Sequence, residues 1–336
     1  MDLDLLQDTL RRLGQPGYRA GQIWRWAARG AAGFEQMTDL PLQLRAALGE
    51  AVPFSSLTLE LEGRARDGTV KALLRTRDER PVEAVLMRYR DGRRGSRSVP
   101  GRRSLCLSSQ SGCPLTCTFC ATGQMRFGRN LTASEILDQA LHFRRAETVD
   151  HAVFMGMGEP MMNLDAVLEA CSRLPEIGIS HRHTAISTVG WIPGIERLAT
   201  QPMPIALALS LHAADDALRS ELMPVNERYP LADVLAACRA YHARKHRMVF
   251  VEYVMLAGVN DSCLQARQLA GALDPSAFKV NLIPYNPTDS PFAGSSPKAI
   301  EAFRSELERH GIGATVRLTR GREIAAACGQ LVAAPS

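Results

Sequence analysis

The 336 residues, 46% of them hydrophobic, have room for one large α/β domain with or without a smaller appendage, since domains usually hold about 100 to 200 residues. No window approaches the ~18 uninterrupted apolar residues of a membrane span, and Met1-Asp-Leu-Asp-Leu-Leu lacks the basic start and apolar run of a secretion signal, so a soluble cytoplasmic protein with no membrane partner is expected. The net charge of +5 permits a polyanionic partner without requiring one, and eight cysteines are too sparse for a secreted disulfide scaffold.

The first stretch, residues 1–52, reads as a small helical unit. Leu3, Leu6, Leu10 and Leu13 recur at helical spacing, and Gln22 to Ala32 and Pro41 to Leu48 give two more helices. Arg11, Arg12, Arg19, Arg25 and Arg29 are scattered over it, which suits either a solvated face or phosphate contacts. In residues 53–100 the pattern turns extended, with strands predicted over Leu57 to Leu61, Val70 to Arg75 and Val82 to Met87, and Asp67-Gly68 as a hairpin signal. Residues 88–103 then hold seven arginines among Gly, Ser and Pro, the composition of a mobile basic loop that is solvated or grips RNA phosphates.

From residue 101 to 336 strands and helices alternate. Strands are predicted at Ser104 to Ser109 and near 151–156, 183–188, 205–211, 248–256, 278–284 and 314–319. Helices include one opened by the capping-box pattern Thr132-Ala-Ser-Glu135, and others over 163–174, 231–244 and 297–310. Repeated βα units specify an α/β fold with a parallel sheet, curled or closed as a barrel.

Between the first of these strands and the first helix lies Cys113-Pro-Leu-Thr-Cys117-Thr-Phe-Cys120, three thiols within eight residues. Thiolates so spaced ligate soft metals. Three of them on a cubic iron-sulfur cluster leave one iron open to chelation by an amine and a carboxylate, groups that S-adenosylmethionine (SAM) carries. With Cys106 they could instead close a four-sulfur zinc site, and a disulfide is also conceivable. Cys171, Cys238 and Cys263 sit in apolar patterns and read as small core residues. In a parallel barrel the loops after the strands gather at one mouth. There the sequence puts the cysteine loop, Gly156-Met-Gly158-Glu159-Pro160, Ser187-Thr188, Ser210-Leu-His212 and Asn286.

Taken together these residues resemble the RlmN/Cfr family of radical-SAM RNA adenine methyltransferases. The resemblance runs through Tyr18-Arg-Ala-Gly-Gln-Ile-Trp, Met37-Thr-Asp-Leu-Pro, the stretch from Cys106 to Gly123, Gly156-Met-Gly-Glu-Pro, Ser210-Leu-His, Val251-Glu-Tyr-Val-Met-Leu, Asn281-Leu-Ile-Pro-Tyr-Asn-Pro and Ala326-Ala-Cys328-Gly-Gln-Leu. It implies a partial (β/α)6 barrel core, a small N-terminal helical RNA-binding domain and a short β extension. It also implies one [4Fe-4S] cluster on Cys113, Cys117 and Cys120, and SAM, two per turnover, contacted by Gly158, Glu159, Ser187, Ser210, His212 and Asn286.

The implied reaction is methylation of adenine C2, at adenosine 2503 of 23S rRNA and, in dual-specificity members, adenosine 37 of tRNA. One SAM methylates a cysteine, matching Cys328. A radical made from a second SAM takes a hydrogen atom from that methyl group, and the resulting carbon joins the base. Glu83, in Pro-Val-Glu-Ala-Val, matches the residue that accepts the C2 proton. Cys106 matches the thiol that attacks Cys328, releases the RNA and leaves a transient disulfide. The implied electron donor is a flavodoxin or ferredoxin, and a monomer is expected. A Cfr-like C8 methyltransferase shares these motifs, and a non-catalytic metal-stabilised RNA-binding protein would share the loop but have no use for Cys328.

Overall fold

The computed structural model describes residues 1–90, 92–94, 97–99 and 101–332, with the side chains of 92–94 and 97–99 left aside. Three helices open the chain: α1 (Leu3–Arg12), α2 (Tyr18–Ala28) and α3 (Leu42–Ala51). The Asp2 side chain caps α1 by accepting from the Leu5 amide. Three antiparallel strands follow, β1 (Leu57–Arg64), β2 (Val70–Thr76) and β3 (Pro81–Tyr89). The predicted hairpin turn between the first two is present: Gly68 takes φ +85°, and Asp67 Oδ1 accepts from the Thr69 amide at 2.9 Å.

The arginine-rich stretch differs from expectation. Most of it is strand: β3 continues to Tyr89, the short pair β4 (Gly92–Arg94) and β5 (Arg97–Val99) forms an antiparallel ladder, and β6 (Arg102–Cys106) pairs back onto β3. A mixture of Arg, Gly and Ser is compatible with a short two-stranded ribbon as well as with a loop, which is why composition misled. Asp91, Gly95, Ser96 and Pro100 lie outside the described residues.

Beyond β6 come a two-stranded ladder of β7 (Gln110–Ser111) and β8 (Arg129–Asn130), enclosing the cysteine loop and the short α4 (Ala121–Gln124), and then α5 (Ala133–Arg144). Alternating units follow: β9 (His151–Phe154), α6 (Leu164–Ile177), β10 (Thr184–Thr188), α7 (Ile192–Thr200), β11 (Ala206–Ser210), α8 (Asp216–Leu222), α9 (Leu231–Lys245), β12 (Val249–Met255), α10 (Cys263–Ala272), β13 (Phe278–Pro284), α11 (Pro297–Arg309) and β14 (Ala314–Val316). The capping box at Thr132 and Glu135 is formed, and a second stands at Ser262 and Gln265.

All the long strands join one sheet in the order β1-β2-β3-β6-β9-β10-β11-β12-β13-β14, parallel from β6 onward. This is the expected α/β architecture, with the three antiparallel strands extending one edge. The central parallel strands β11 and β12 are near-continuous apolar runs, as strands covered on both faces must be. One core of buried side chains runs from Leu6, Trp24 and Leu48 through Ile136 and Phe154 to Val251 and Phe303. The link after α3 is pinned to α5 by Ser56, whose amide and hydroxyl both donate to Asp138 at 2.6 Å. Among the described residues, no helix is long and apolar enough to cross a membrane.

Because Trp24 is 2% exposed within that shared core, Trp24→Ala is expected to cost about 3–5 kcal/mol. Urea denaturation followed by circular dichroism would measure the loss.

Candidate active site

Parallel strands bring their C-terminal ends to one edge, and there the chain encloses a cavity. Its wall includes Cys113, Cys117 and Cys120 from the cysteine loop, Gly158 and Glu159 after β9, Ser187 from β10, Ser210 at the end of β11 and His212 just after it, and Cys328 from the C-terminal tail. The loop is tied down on all sides. The Cys120 amide donates to Cys117 O at 3.2 Å, Gln124 Nε2 to Cys117 O at 3.2 Å, Thr118 N to Leu222 O at 3.0 Å and Ala121 N to Gly329 O at 2.8 Å. A Cβ on Gly123 would lie 2.9 Å from Cys117 O, so only glycine lets the chain close behind the cysteines.

Burial pushes the Cys113 thiol up to about 12 and Cys117 well above the usual thiol range. Thiols in such surroundings give up their protons to a bound metal. The donor set therefore suits an iron-sulfur cluster. Cys106 is not part of it: that thiol lines a neighbouring cavity, which removes the fourth sulfur of a zinc site. Among the described residues no three Cys, His, Asp or Glu side chains converge on one ion.

Glu159 is 3% exposed. Its Oε1 accepts from Met161 N and its Oε2 from Val189 N, both at 3.0 Å, yet burial prevails and pushes the carboxyl up to about 7. Such a carboxylate is stabilised by a cation arriving in the cavity. Ser187 Oγ and Ser210 Oγ stand 3.2 Å apart beside it. His212 has φ +62°, its Nδ1 accepts from Val254 N at 3.0 Å, and Asn260 Nδ2 donates to its carbonyl at 2.8 Å. Burial first, and then the Arg219 charge, depress its pKa to about 3. The ring is thus neutral, with the proton on Nε2.

The second cavity is lined by Met87, Tyr89, Cys106, Asn286, Arg317 and Cys328, among others. Cys328 and Arg317 line both cavities, so the tail cysteine stands at the partition between them. Burial, and then Cys328, push the Cys106 thiol up to about 12. Arg317 donates to Glu252 Oε2 at 3.2 Å, and Asn281 Nδ2 donates to the other oxygen of Glu252 at 2.9 Å, which fixes a cation beside the tail cysteine. All eight cysteines are free thiols, so the Cys106–Cys328 disulfide implied by the resemblance is not formed here.

Two residues fall elsewhere than expected. Asn286 lines the second cavity and not the first; its Nδ2 donates to Cys328 O at 3.2 Å, so it holds the tail. Glu83 lines neither cavity. It is wholly buried on β3 beneath the tail, with Lys71 Nζ 2.8 Å from Oε1 and Val332 N donating to Oε2 at 3.0 Å. Cys171 and Cys238 are core residues as expected, whereas Cys263 is exposed, because as the first residue of α10 it projects from a helix end. Lys71, Glu252 and Asn260 went unread in the sequence. A lysine inside the apolar run Val70-Lys-Ala-Leu-Leu was the available signal.

Fold and cavity define a radical-SAM protein: residues 107–269 match the Radical SAM superfamily, and residues 1–53 match the ribosomal RNA large subunit methyltransferase N-terminal domain. A protein of Thermus thermophilus named probable dual-specificity RNA methyltransferase RlmN is 44% identical, the match covering 94% of this chain and 89% of that one. A relative of the same name from Chloroflexus aurantiacus is 45% identical over 98% of this chain and 91% of its own. The crystal structure of a radical SAM methyltransferase from Sphaerobacter thermophilus superposes with a TM-score of 0.90 at 43% identity, covering 99% of this chain and 98% of that one. The chain belongs to the RlmN family, and radical-SAM membership implies an iron-sulfur cluster and SAM.

If Glu159 holds the SAM ammonium, it must be ionised to do so. SAM affinity of the cluster-loaded protein is then expected to fall as pH drops below about 7, approaching tenfold per unit. Glu159→Gln should bind weakly with a flat profile between pH 5 and 8, measured by equilibrium dialysis.

Proposed function

We propose that this protein is a radical-SAM RNA methyltransferase that places a methyl group on adenine C2, at adenosine 2503 of 23S rRNA and adenosine 37 of tRNA. The observation that carries the reading is the position of Cys328, on the wall shared by the cavity of Cys113, Cys117 and Cys120 and the cavity of Cys106. A methyl carrier has to meet both the site where radicals are made and the thiol that releases product. A non-catalytic metal-stabilised RNA-binding protein has no need of either meeting.

Cys113, Cys117 and Cys120 would hold a [4Fe-4S] cluster, which with SAM bound supplies one-electron cleavage of the sulfonium, fed by a flavodoxin or ferredoxin. Glu159 takes the ammonium of SAM, while Gly158, Ser187, Ser210 and His212 line its berth. Gly158, at φ +94°, has no room for a Cβ, which would lie 2.5 Å from Gln110 Cβ. Cys328, with the Arg317 guanidinium on the same cavity walls, accepts the methyl group of a first SAM. A hydrogen atom would pass from that methyl group to the radical made from the second SAM, the carbon would join adenine C2, and the adduct would then give one electron to the oxidised cluster and its C2 proton to Glu83. Cys106 then attacks Cys328 sulfur. The carbon–sulfur bond breaks with its electron pair on carbon, which takes a proton to become the product methyl, and the two sulfurs remain as a disulfide to be reduced.

Residues 1–52 are proposed to meet the RNA. Tyr18, 61% exposed with the Arg19 guanidinium 5.1 Å from its ring centroid, and Leu42, 72% exposed, offer stacking surface there. A basic hollow of Arg88, Tyr89, Arg90, Arg102 and Arg103 near the second cavity fits phosphates.

Cys106→Ala is expected to accumulate a covalent protein–RNA adduct through Cys328, read on a denaturing gel after anaerobic reaction. Free product without adduct would remove Cys106 from the release step. Mass spectrometry of the product adenosine should place the methyl on C2; methyl on C8 would reassign the reaction.

A further inference from the structure

Lys71 has no part in the reaction as proposed, yet its ammonium is one of the most deeply placed charges in the chain. Its side chain is 5% exposed and that of Glu83 0%, with Nζ and Oε1 2.8 Å apart. Burying both charges costs several kcal/mol per ion, so the pair needs good geometry merely to break even, and apolar residues would fill the same space more cheaply. The two residues are diagonal neighbours across an antiparallel ladder, since Lys71 registers with Val85 and Leu73 with Glu83. The lysine therefore belongs to the rigid edge of the sheet.

The other carboxylate oxygen is held differently. Oε2 accepts from Val332 N at 3.0 Å, and Val332 lies four residues beyond Cys328 on the same tail. Were the tail to lift as an adenine approaches, the Val332 hydrogen bond would be lost while the 2.8 Å ion pair with Lys71 would stay. The two oxygens thus have separate duties: one is fixed by the sheet, the other uncovered by the tail.

We infer that Lys71 is a positioning residue for proton removal from adenine C2, pinning Glu83 Oε1 so that Oε2, once Val332 leaves it, faces the base. This rests on the proposed role of Glu83. In the step itself the C2–H bond breaks, the proton passes to Oε2, and the bonding electron pair stays in the ring. Lys71 exchanges no atom.

The test uses full-length, cluster-reconstituted protein under anaerobic conditions with SAM and an RNA carrying 2-deuteroadenosine at the target. Lys71→Met is expected to methylate Cys328 normally, by mass spectrometry of the protein, but to resolve the RNA adduct at least about tenfold more slowly, as loss of aim in a proton transfer does. The adduct it accumulates should keep the deuterium, whereas that of Cys106→Ala should have lost it. Lys71→Arg, with charge kept and shape changed, should resolve at a rate between those of Lys71→Met and the unaltered protein. Normal resolution by Lys71→Met, beside a deuterium-retaining stall in Glu83→Gln, overturns the role of Lys71 alone. Normal resolution by Glu83→Gln overturns the base assignment and this inference with it. Should Lys71→Met fail to fold, Lys71→Arg decides: slowed resolution with label retained supports the inference, and an unchanged rate overturns it.

Discussion

The docking of the C-terminal tail across the strand ends is the constraint on which the rest depends. Ala121 N donates to Gly329 O at 2.8 Å, Thr122 Oγ1 to Leu331 O at 2.6 Å, Asn286 Nδ2 to Cys328 O at 3.2 Å and Val332 N to Glu83 Oε2 at 3.0 Å. Each such bond contributes about 0.5–1.5 kcal/mol net. Apart from Ala326, Ala327 and Leu331, the tail buries little apolar surface of its own. It can therefore leave the mouth without unfolding the sheet. Turns at Gly321, Ala325 and Gly329, with φ of +63°, +49° and +85°, let it reverse direction over a short span.

Under the tail, buried charge is arranged in fixed pairs that belong to the strands. Arg317 is set against Glu252 and Lys71 against Glu83, each at close range. Arg219 is the contrasting case. Wholly buried on α8, it meets no carboxylate at salt-bridge distance among the described residues; it donates to Asn226 Oδ1 and Val189 O at 2.5 Å each, and burial lowers its pKa to about 10. Val189 in turn donates its amide to Glu159. A single residue thus couples a buried cation near Cys117 to the carboxylate that faces the cavity, and since Thr118 N donates to Leu222 O on the same helix, the cysteine loop and Glu159 share one hydrogen-bonded frame.

The frame was largely legible in the sequence, because strands and helices are local and periodic. The strand over 278–284 and the capping box at Thr132 needed only neighbouring residues. The spacing of the three cysteines likewise survives folding, since eight residues of loop can hardly carry them apart. What composition could not supply was sheet pairing across the arginine-rich stretch, where β3 and β6 meet over a long separation. Nor could it show that Asn286 serves the tail, or that Lys71 answers Glu83, because both contacts cross between segments whose approach only the fold decides. Cys263 was misread for a simpler reason: apolar neighbours predict burial on a helix face but not at its first turn.

The partition between the two cavities also bears on how a radical at Cys328 is protected. Phe154, Met155, Ile283 and Arg317 surround the first cavity near the tail, and Met155 and Ile283 continue onto the second. In the proposed reaction a carbon radical on the sulfur of Cys328 would abstract hydrogen from any thiol it touched, and Cys106 is the other thiol lining the second cavity. In the proposed reaction Cys106 must therefore stay apart until the base is attached, yet be close enough to attack afterwards. Burial pushes the Cys106 thiol up to about 12 and makes it a poor nucleophile while the tail is docked, which guards against early attack on Cys328, whereas the guard against hydrogen-atom donation has to come from distance. In the proposed reaction a tail that lifted to admit RNA would admit solvent to that thiol as well and favour its ionisation, so the motion that brought substrate to Cys328 would also prepare its release.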